Sequence, residues 1–451
     1  MPREAVAALP PTDAARLTPT QWLVCVVASL GFLFDLYEFL VMPLIVRPLL
    51  ADLGHLKPGT PAFNLWVGLL FFIPTATGGV FGLFGGYLID LLGRRRVLVW
   101  SILLYAFSAL AASYATSLHQ IMFFRCTTVI GVCVEYVASV TWLAELFSNP
   151  KQRESVLAYA QAFYPLGGFV AAGAYYAAVT WAARLPAIHG VHEAWRYTLL
   201  AGLVPAVPLI VVRPFLPESP VWREKKSLGT LERPSFRELF QPALRRTTLV
   251  TTLLMGATSA LAFGAIQHTV RIVPGLADVR NLPPKQIEQI VSHVQVLQEL
   301  GGVVGRVIFA LLVIRIASER RRMRVFLMPA FVVFAWLYFS AATRTLAQLG
   351  FSVFLATLLF NGLHSFWGNY MPRVYPTHLR GTGGSFAMNL GGRTIGASAA
   401  LATTQLANVM PGSAPSVQLS YSAGTIALVA CALALFGSAW LSEPASEQLP
   451  D

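Results

Sequence analysis

Charged residues are scarce in this chain: of its 451 residues, 12% are Asp, Glu, Lys or Arg, whereas 55% are hydrophobic. An ordinary soluble domain carries about a quarter charged residues. A composition this apolar excludes a soluble domain or a soluble repeat array, and most helices of the chain must face lipid.

Cysteine is also rare, and no short motif points to a catalytic or metal site. The four cysteines lie inside apolar stretches without CxxC or CxxH spacing, so neither a disulfide framework nor a metal site is indicated. The enzyme motifs HxxxD and GxSxG are absent. We therefore predict a protein that is not an enzyme and needs no cofactor or metal. The lack of an Asn-x-Ser/Thr sequon agrees with a bacterial inner membrane.

Apolar stretches long enough to cross a bilayer recur almost from end to end. A hydrocarbon core about 30 Å thick requires about 20 apolar residues in a helix. The expected fold is therefore an all-α integral membrane protein. Twelve transmembrane helices are predicted near residues 21 to 47, 63 to 90, 97 to 116, 119 to 146, 153 to 182, 195 to 216, 246 to 271, 288 to 315, 324 to 343, 346 to 371, 381 to 408 and 418 to 441.

The net charge of +12 comes from basic clusters that occupy alternate loops. These clusters include Arg94 to Arg96, Lys151 with Arg153, Arg223 to Arg246, and Arg320 to Arg322, while the other loops hold only scattered cations. By the positive-inside rule, the basic loops and both termini are cytoplasmic. The lipid bilayer thus explains the charge, and nucleic acid is not expected as a partner.

The two parts of the chain repeat each other. Gly79 and Gly82, with the basic cluster after them, are echoed by Gly302 and Gly305 with the cluster at Arg320, at offsets of about 223 to 227 residues. Many secondary carriers are internally duplicated and bind substrate between their halves. The predicted domains are an N-terminal tail (1–20), a six-helix bundle (21–217), a cytoplasmic linker (218–245), a second six-helix bundle (246–442) and a C-terminal tail (443–451).

Asp35, Glu38, Arg125 and Glu135 are charged residues well inside predicted membrane helices of the first half. An ionised group at the bilayer centre costs several kcal/mol, so each needs a partner or a water-filled path. Asp35 and Glu38 share one helix face, and two adjacent carboxylates favour proton uptake by one of them. Arg125 lies at a depth that suits either acid. Glu135 shows no local counter-ion and is a second candidate for proton or substrate binding. For Asp35 and Glu38, the alternative is a structural pair neutralised by a fixed cation. For Glu135, the alternative is a neutral carboxyl that is hydrogen-bonded to a neighbouring helix.

Polar residues in the other predicted helices suggest a substrate cavity. Because His268, His364 and Arg393 can carry positive charge, a small carboxylate is favoured as substrate. A lone histidine in a membrane is about as often a donor in helix packing as a ligand contact. The predicted substrate-binding residues are Tyr164, Gln267, His268, Gln298, Glu299, Asn361, His364, Asn389 and Arg393.

The run Gly86-Tyr-Leu-Ile-Asp90-Leu-Leu-Gly93-Arg94-Arg95-Arg96 resembles the loop signature between helices two and three of the major facilitator superfamily. Arg125 with Gly131, followed by Glu145 and Arg153, resembles the signature of helices four and five. The resemblance covers nearly the whole chain and implies two pseudo-symmetric six-helix bundles. It also implies a cytoplasmic gate made by Gly86, Asp90, Gly93, Arg94, Glu145, Arg153 and Arg380.

Within this superfamily, Asp35-Leu-Tyr-Glu38-Phe39 and Glu135-Tyr136 resemble patterns of the metabolite:proton symporters, which carry organic acids, shikimate-like compounds or zwitterions. The paired glutamines of sugar porters are missing from the seventh helix. In the second half, Arg373 stands where an acid is expected and the loop aspartate is absent. A symmetric second network of salt bridges is therefore not expected.

These patterns together predict proton-coupled symport of a small organic acid or zwitterion by a monomer. The alternatives are a sugar or polyol porter or facilitator, a proton antiporter, and a non-transporting membrane sensor built on a carrier fold. We expect the first half to provide energy coupling and the second half to provide selectivity.

Overall fold

A computed structural model of the chain describes residues 18–147, 156, 160, 163–228, 235–313, 315–340, 345–376 and 379–443. The secondary structure of these residues is helical, and no β-strand occurs among them. The membrane helices of the first half are α1 (Pro19–Gly54), α2 (Pro61–Leu92), α3 (Arg94–Ser113), α4 (Leu118–Leu146), α5 (Leu166–Trp181) and α6 (Ala194–Ala201 with Leu203–Val212). Those of the second half are α7 (Arg245–Gly264), α8 (Pro284–Val313), α9 (Glu319–Phe339), α10 (Leu346–Val374), α11 (Arg380–Phe386, Ala387–Gly396 and Ala397–Leu406) and α12 (Pro415–Gly437).

Eleven helices in the described part of the chain are long and apolar enough to cross a membrane. The remaining predicted segment, 381 to 408, corresponds to α11, which changes to π-helical hydrogen bonding over Ala387–Gly396. A Cβ atom on Gly391 in this stretch would lie 2.3 Å from the Thr252 carbonyl oxygen of α7, so glycine allows the two helices to approach closely. The predicted all-α fold of two six-helix bundles is confirmed.

Both halves use a glutamate to tie their last helix to the start of their third helix. Glu218, after α6, accepts a hydrogen bond from the Arg95 amide at 3.1 Å. Glu443, after α12, accepts hydrogen bonds from the amides of Glu319 at 2.8 Å and Arg320 at 3.2 Å. The two glutamates are 225 residues apart, so this cap of a helix N-terminus belongs to the duplicated architecture.

A salt bridge between the third and fourth helices of each half has opposite polarity in the two halves. Arg94 of α3 donates through Nε and Nη2 to both carboxylate oxygens of Glu145 on α4, each at 2.8 Å. In the second half, Glu319 of α9 pairs with Arg373 of α10 and with Arg322. The sequence did not predict a symmetric second network, and the second half has one of reversed polarity at the equivalent place. Acid and base have exchanged helices, which preserves their attraction.

The halves pack together along α2 against α11 and along α5 against α8. We call the side of the molecule with Arg94 and Glu319 the basic face, and the other side the opposite face. At the opposite face, Glu288 of α8 pairs with Arg47 of α1 and accepts a hydrogen bond from the Tyr175 hydroxyl of α5 at 2.6 Å. These contacts join the two halves at the opposite face.

Candidate functional site

Helices α1, α7, α8, α10 and α11, with the residues directly before α5, surround a central cavity. Apart from Tyr164, the first half lines it with apolar side chains, whereas the second half supplies several polar ones. A mostly apolar cavity with a few convergent polar groups is typical of a small-molecule site. Seven of the nine predicted substrate-binding residues line it: Tyr164, Gln267, Gln298, Glu299, Asn361, His364 and Arg393.

The other two predicted substrate-binding residues, His268 and Asn389, do not line the cavity. His268 is buried, stacks on Phe71 with 5.4 Å between ring centres, and accepts a hydrogen bond at Nδ1 from Arg271 at 3.0 Å. Gln267 and His268 are neighbours in the 3₁₀ turn Ile266–His268, where successive side chains are about 120° apart around the axis, and only Gln267 lines the cavity. His268 is therefore a helix-packing residue, which was the alternative to a ligand contact.

Two arginines of the second half reach the cavity. Arg306 of α8 donates from Nη2 to the Asn361 side-chain oxygen at 3.1 Å, and Arg393 of α11 donates from Nη1 to that of Asn389 at 2.8 Å. Among the described residues, neither arginine has a carboxylate within ion-pair distance. A guanidinium in a low-dielectric cavity without a counter-ion attracts an anion strongly.

The π-helical stretch of α11 positions Arg393 and Asn389. It carries both residues, and the Arg393 guanidinium lies 5.7 Å from the ring centre of Phe39 and 5.9 Å from that of Tyr136, both in the first half. Such contacts with aromatic rings stabilise a cation without neutralising it. Arg393 therefore contacts both halves across the cavity.

Sequence reasoning missed Arg306 and Gln295, although a signal for both was available. Gln295, Glu299, Gly302 and Arg306 follow at intervals of four, three and four residues, which places them on one face of α8. The aromatic residues Phe39, Phe263 and Phe360, which also line the cavity, gave no signal, because aromatic side chains are common in membrane helices.

The predicted proton-coupling acids of α1 lie in two different environments. Arg125 of α4 donates from Nη1 to the Glu38 carboxylate at 3.1 Å and from Nη2 to the Glu38 carbonyl oxygen at 2.7 Å. Asp35 is 2% exposed, and neither of its carboxylate oxygens has a hydrogen-bond partner among the described residues. Helix depth had allowed either acid to pair with Arg125, and the structure selects Glu38.

Glu135 is not without a counter-ion, as the sequence had suggested. It forms a fully buried ion pair with Arg213, which follows α6. A Cβ atom on Gly31 would lie 2.6 Å from the Glu135 carboxylate and from the Arg213 guanidinium, so α1 packs directly on this pair. Arg213 was missed because it lies at the predicted cytoplasmic end of a helix, where basic residues are expected for topological reasons.

The predicted gate is only partly within the described side chains. Arg94 and Glu145 form their bidentate pair, and the Ser219 hydroxyl donates to Glu145 at 2.5 Å. Gly93 adopts a φ of 95°, which favours glycine and allows α3 to start directly after α2. Arg153 lies outside the described residues, and so do the side chains of Asp90 and Arg380, while Gly86 is a helical residue of α2.

The Major Facilitator Superfamily profile matches residues 27–401 of the chain. The chain is 25% identical over 392 residues to the sialic acid transporter of Escherichia coli (strain K12), covering 86% of this chain and 88% of that protein. It is 26% identical over 426 residues to the 4-hydroxybenzoate transporter of Pseudomonas aeruginosa, covering 85% and 86% respectively. The structure of the xylose transporter from E. coli in a partially occluded inward open conformation has a TM-score of 0.70 at 15% identity, covering 96% of this chain and 100% of that chain. At this identity, the structural likeness shows the fold alone.

Proposed function

The chain belongs to the major facilitator superfamily and is an integral membrane transporter rather than an enzyme, and on this premise we propose that it is a proton-coupled symporter of a small organic acid. In this proposal the protein acts as a monomer in a bacterial inner membrane. The basic face is cytoplasmic by the positive-inside rule, and both termini lie on that side.

One observation carries the choice of substrate. Arg306 and Arg393 line the cavity between the halves, and neither has a carboxylate partner among the described residues. A carboxylate that enters the cavity gains charge-assisted hydrogen bonds to guanidinium groups that already lack a counter-ion. The relatives named for sialic acid and 4-hydroxybenzoate transport agree with an acidic substrate, because both compounds are carboxylic acids.

Proton coupling is proposed for the acids of α1. Asp35 lies one helical turn from Gly31, which contacts the Glu135–Arg213 pair, and nearly one turn from Glu38 on the other side. A buried carboxylate without hydrogen bonds is costly when ionised, so Asp35 binds a proton readily.

Arg393 links the proposed proton site to the proposed substrate site. Its guanidinium lies 5.7 Å from the ring centre of Phe39, which is one helical turn after Asp35 on α1. Protonation of Asp35 removes a negative charge that attracts Arg393 and so makes this arginine a better partner for the substrate carboxylate. Binding of proton and anion then favour each other, which is the thermodynamic requirement for symport.

Movement of the halves would complete the cycle. The contacts of Glu288 with Arg47 and Tyr175 hold the halves together at the opposite face. In alternating access, these contacts break when the halves rock about the bound substrate, and the cavity opens to the other side.

Transport by purified protein in proteoliposomes tests the proposal. Under an imposed pH gradient, sialic acid and 4-hydroxybenzoate serve as the first labelled substrates, and a trapped dye reports the internal pH. Symport predicts accumulation with acidification of the interior. A facilitator gives flux without acidification, an antiporter gives the opposite pH change, and a sensor binds ligand without flux.

The matched variant replaces Asp35→Asn, Glu38→Gln and Arg125→Gln together, which removes the three charges and keeps every side chain polar. We expect it to lose proton-driven accumulation. Accumulation that persists in this variant would show that these three residues do not couple transport to protons.

A further inference from the structure

The cavity has two chemically different ends on one face of α8. Gln295 and Glu299 lie toward the opposite face, and Arg306 lies toward the basic face. Glu299 and Arg306 are seven residues apart, which corresponds to about 10.5 Å along the helix axis. The aromatic side chains of Phe39, Phe263 and Phe360 line the cavity together with both ends. The site is therefore electrically polarised along the direction of transport.

The end near Glu299 is rich in hydrogen-bond acceptors. Glu299 accepts one hydrogen bond, from Gln295 at 2.7 Å, and has no cation within ion-pair distance among the described residues. The neighbouring Gln298 is 3% exposed and uses its amide group as a donor to the Ile266 carbonyl oxygen at 3.3 Å. The Gln298 side-chain oxygen has no hydrogen-bond partner among the described residues. Both residues thus present unused acceptors at the cavity.

Helix α5 makes room for the Glu299 carboxyl group. A Cβ atom on Gly168 would lie 2.2 Å from Cδ of Glu299, a distance at which the two groups collide. Any larger residue at position 168 would displace the carboxyl group. The acceptor end therefore depends on both halves, with the carboxylate from α8 seated on a glycine of α5.

We infer, on the basis of the proposed function, that the substrate is a carboxylate with a second group that donates a hydrogen bond, a hydroxyl or an ammonium, and that Glu299 accepts this bond. The substrate carboxylate lies at Arg306 and Arg393, and a ring-sized body separates it from the donor. An acid without the donor covers the Glu299 carboxylate without offering it a hydrogen bond, so the site discriminates against it. Glu299 is thus a specificity-determining residue.

Binding of three benzoates to the purified full-length protein tests this inference. The probes are 4-hydroxybenzoate, benzoate and 4-fluorobenzoate, the last being close in size to the hydroxylated acid but without a donor. Isothermal titration calorimetry at constant pH gives the Kd of each. We expect 4-hydroxybenzoate to bind at least about tenfold more tightly than the other two, as a hydrogen bond to a charged group implies.

Three substitutions test the two ends of the cavity separately. Glu299→Met removes the acceptor at similar length and is expected to bring the Kd ratio of 4-fluorobenzoate to 4-hydroxybenzoate close to one. Arg306→Met is expected to weaken all three acids while the ratio stays near its wild-type value. Gly168→Ala should lower the ratio as Glu299→Met does, because it displaces the same carboxyl group. Size-exclusion profiles and circular dichroism verify that each variant is folded.

The outcomes distinguish this inference from the function on which it rests. If the acids bind but the hydroxyl brings no advantage, or if Glu299→Met keeps the wild-type ratio, the inferred substrate class is wrong and carboxylate transport stands. If folded wild-type protein binds none of the acids, including sialic acid as a fourth probe, the proposed function and this inference are both overturned.

Discussion

The first half of the molecule buries two glutamate–arginine ion pairs, whereas the second half brings two arginines to a cavity without a carboxylate partner in the described part of the chain. In the first half, Glu38 pairs with Arg125 and Glu135 with Arg213. In the second, Arg306 and Arg393 donate hydrogen bonds to the amide side chains of Asn361 and Asn389. A duplicated scaffold can therefore keep its helices and caps while its charges take on different tasks.

The salt bridges of reversed polarity also show that the two halves share a contact but not the positions of its charges. Arg94 on α3 pairs with Glu145 on α4, and Glu319 on α9 pairs with Arg373 on α10. The scaffold requires an attraction between these helix ends but not a particular sign on either helix. Duplication thus preserves the contact and leaves the identity of its charges free to change.

The largest expected effect is the loss of stability when a buried ion pair of the first half is broken. Glu135→Gln leaves Arg213 as a buried, unpaired cation, and breaking a buried ion pair in this way costs about 3–5 kcal/mol. Unfolding in mixed SDS micelles measures the loss. The double variant Glu135→Gln with Arg213→Gln should regain part of it, because no lone charge remains. Equal losses in the single and double variants would show that the unpaired Arg213 cation is not the source of the lost stability.

A smaller effect is expected on substrate affinity in the second half. Arg393→Met removes a charged hydrogen-bond donor worth about 1.5–3 kcal/mol, so the Kd for benzoate should rise by about ten- to a hundredfold. Stability should change much less than in Glu135→Gln, because no ion pair is broken. Arg393→Lys retains the charge and should lose less affinity. An unchanged Kd for benzoate in Arg393→Met would show that Arg393 does not bind the substrate.

The next prediction tests whether a residue of the first half couples transport to protons. A gradient of one pH unit stores about 1.36 kcal/mol per proton and supports about tenfold accumulation. Asp35→Asn should reduce accumulation to about the equilibrium ratio while substrate exchange across the membrane continues. The control Asp278→Asn changes an exposed acid of the second half and should accumulate substrate like the wild type. Accumulation in Asp35→Asn at the wild-type level would exclude Asp35 as the proton carrier.

The smallest effect compares the two helix caps. Partial burial by itself raises the pKa of Glu443, but hydrogen bonds from Ser318 and from the amides of Glu319 and Arg320 outweigh it and hold the pKa below its usual value. A lowered pKa stabilises the fold above the unfolded-state value of about 4.3, and this contribution is lost as the pH falls through the lower folded-state value.

Thermal unfolding in detergent measures both caps. Because the Glu443 side chain is 37% exposed, Glu443→Gln should cost less than about 1 kcal/mol at pH 7, and the difference from the wild type should shrink below about pH 4. Glu218→Gln should cost more at pH 7, because Glu218 is 7% exposed. A cost for Glu443→Gln that does not change with pH would indicate packing rather than charge.

Much of the architecture could be predicted from the sequence, because hydropathy and duplication are local patterns. The length of the apolar stretches predicted the membrane helices, and the cost of charge in a bilayer marked Asp35, Glu38, Arg125 and Glu135. The repeat predicted two related bundles. Cavity residues such as Glu299 and Arg393 were found for the same reason, since polar side chains are rare in these helices.

The tertiary structure alone decided which of these residues meet. Glu38 and Arg125 are 87 positions apart, and Glu135 and Arg213 are 78 positions apart. Contact over such separations depends on the rotation and packing of whole helices, which the order of residues along one helix does not reveal. The same holds for His268, which packs on Phe71 and does not line the cavity, and for Arg393, which reaches the cavity from the π-helical stretch of α11. The sequence determined that charges must be buried, and only helix packing decided which became ion pairs and which remained available to a ligand.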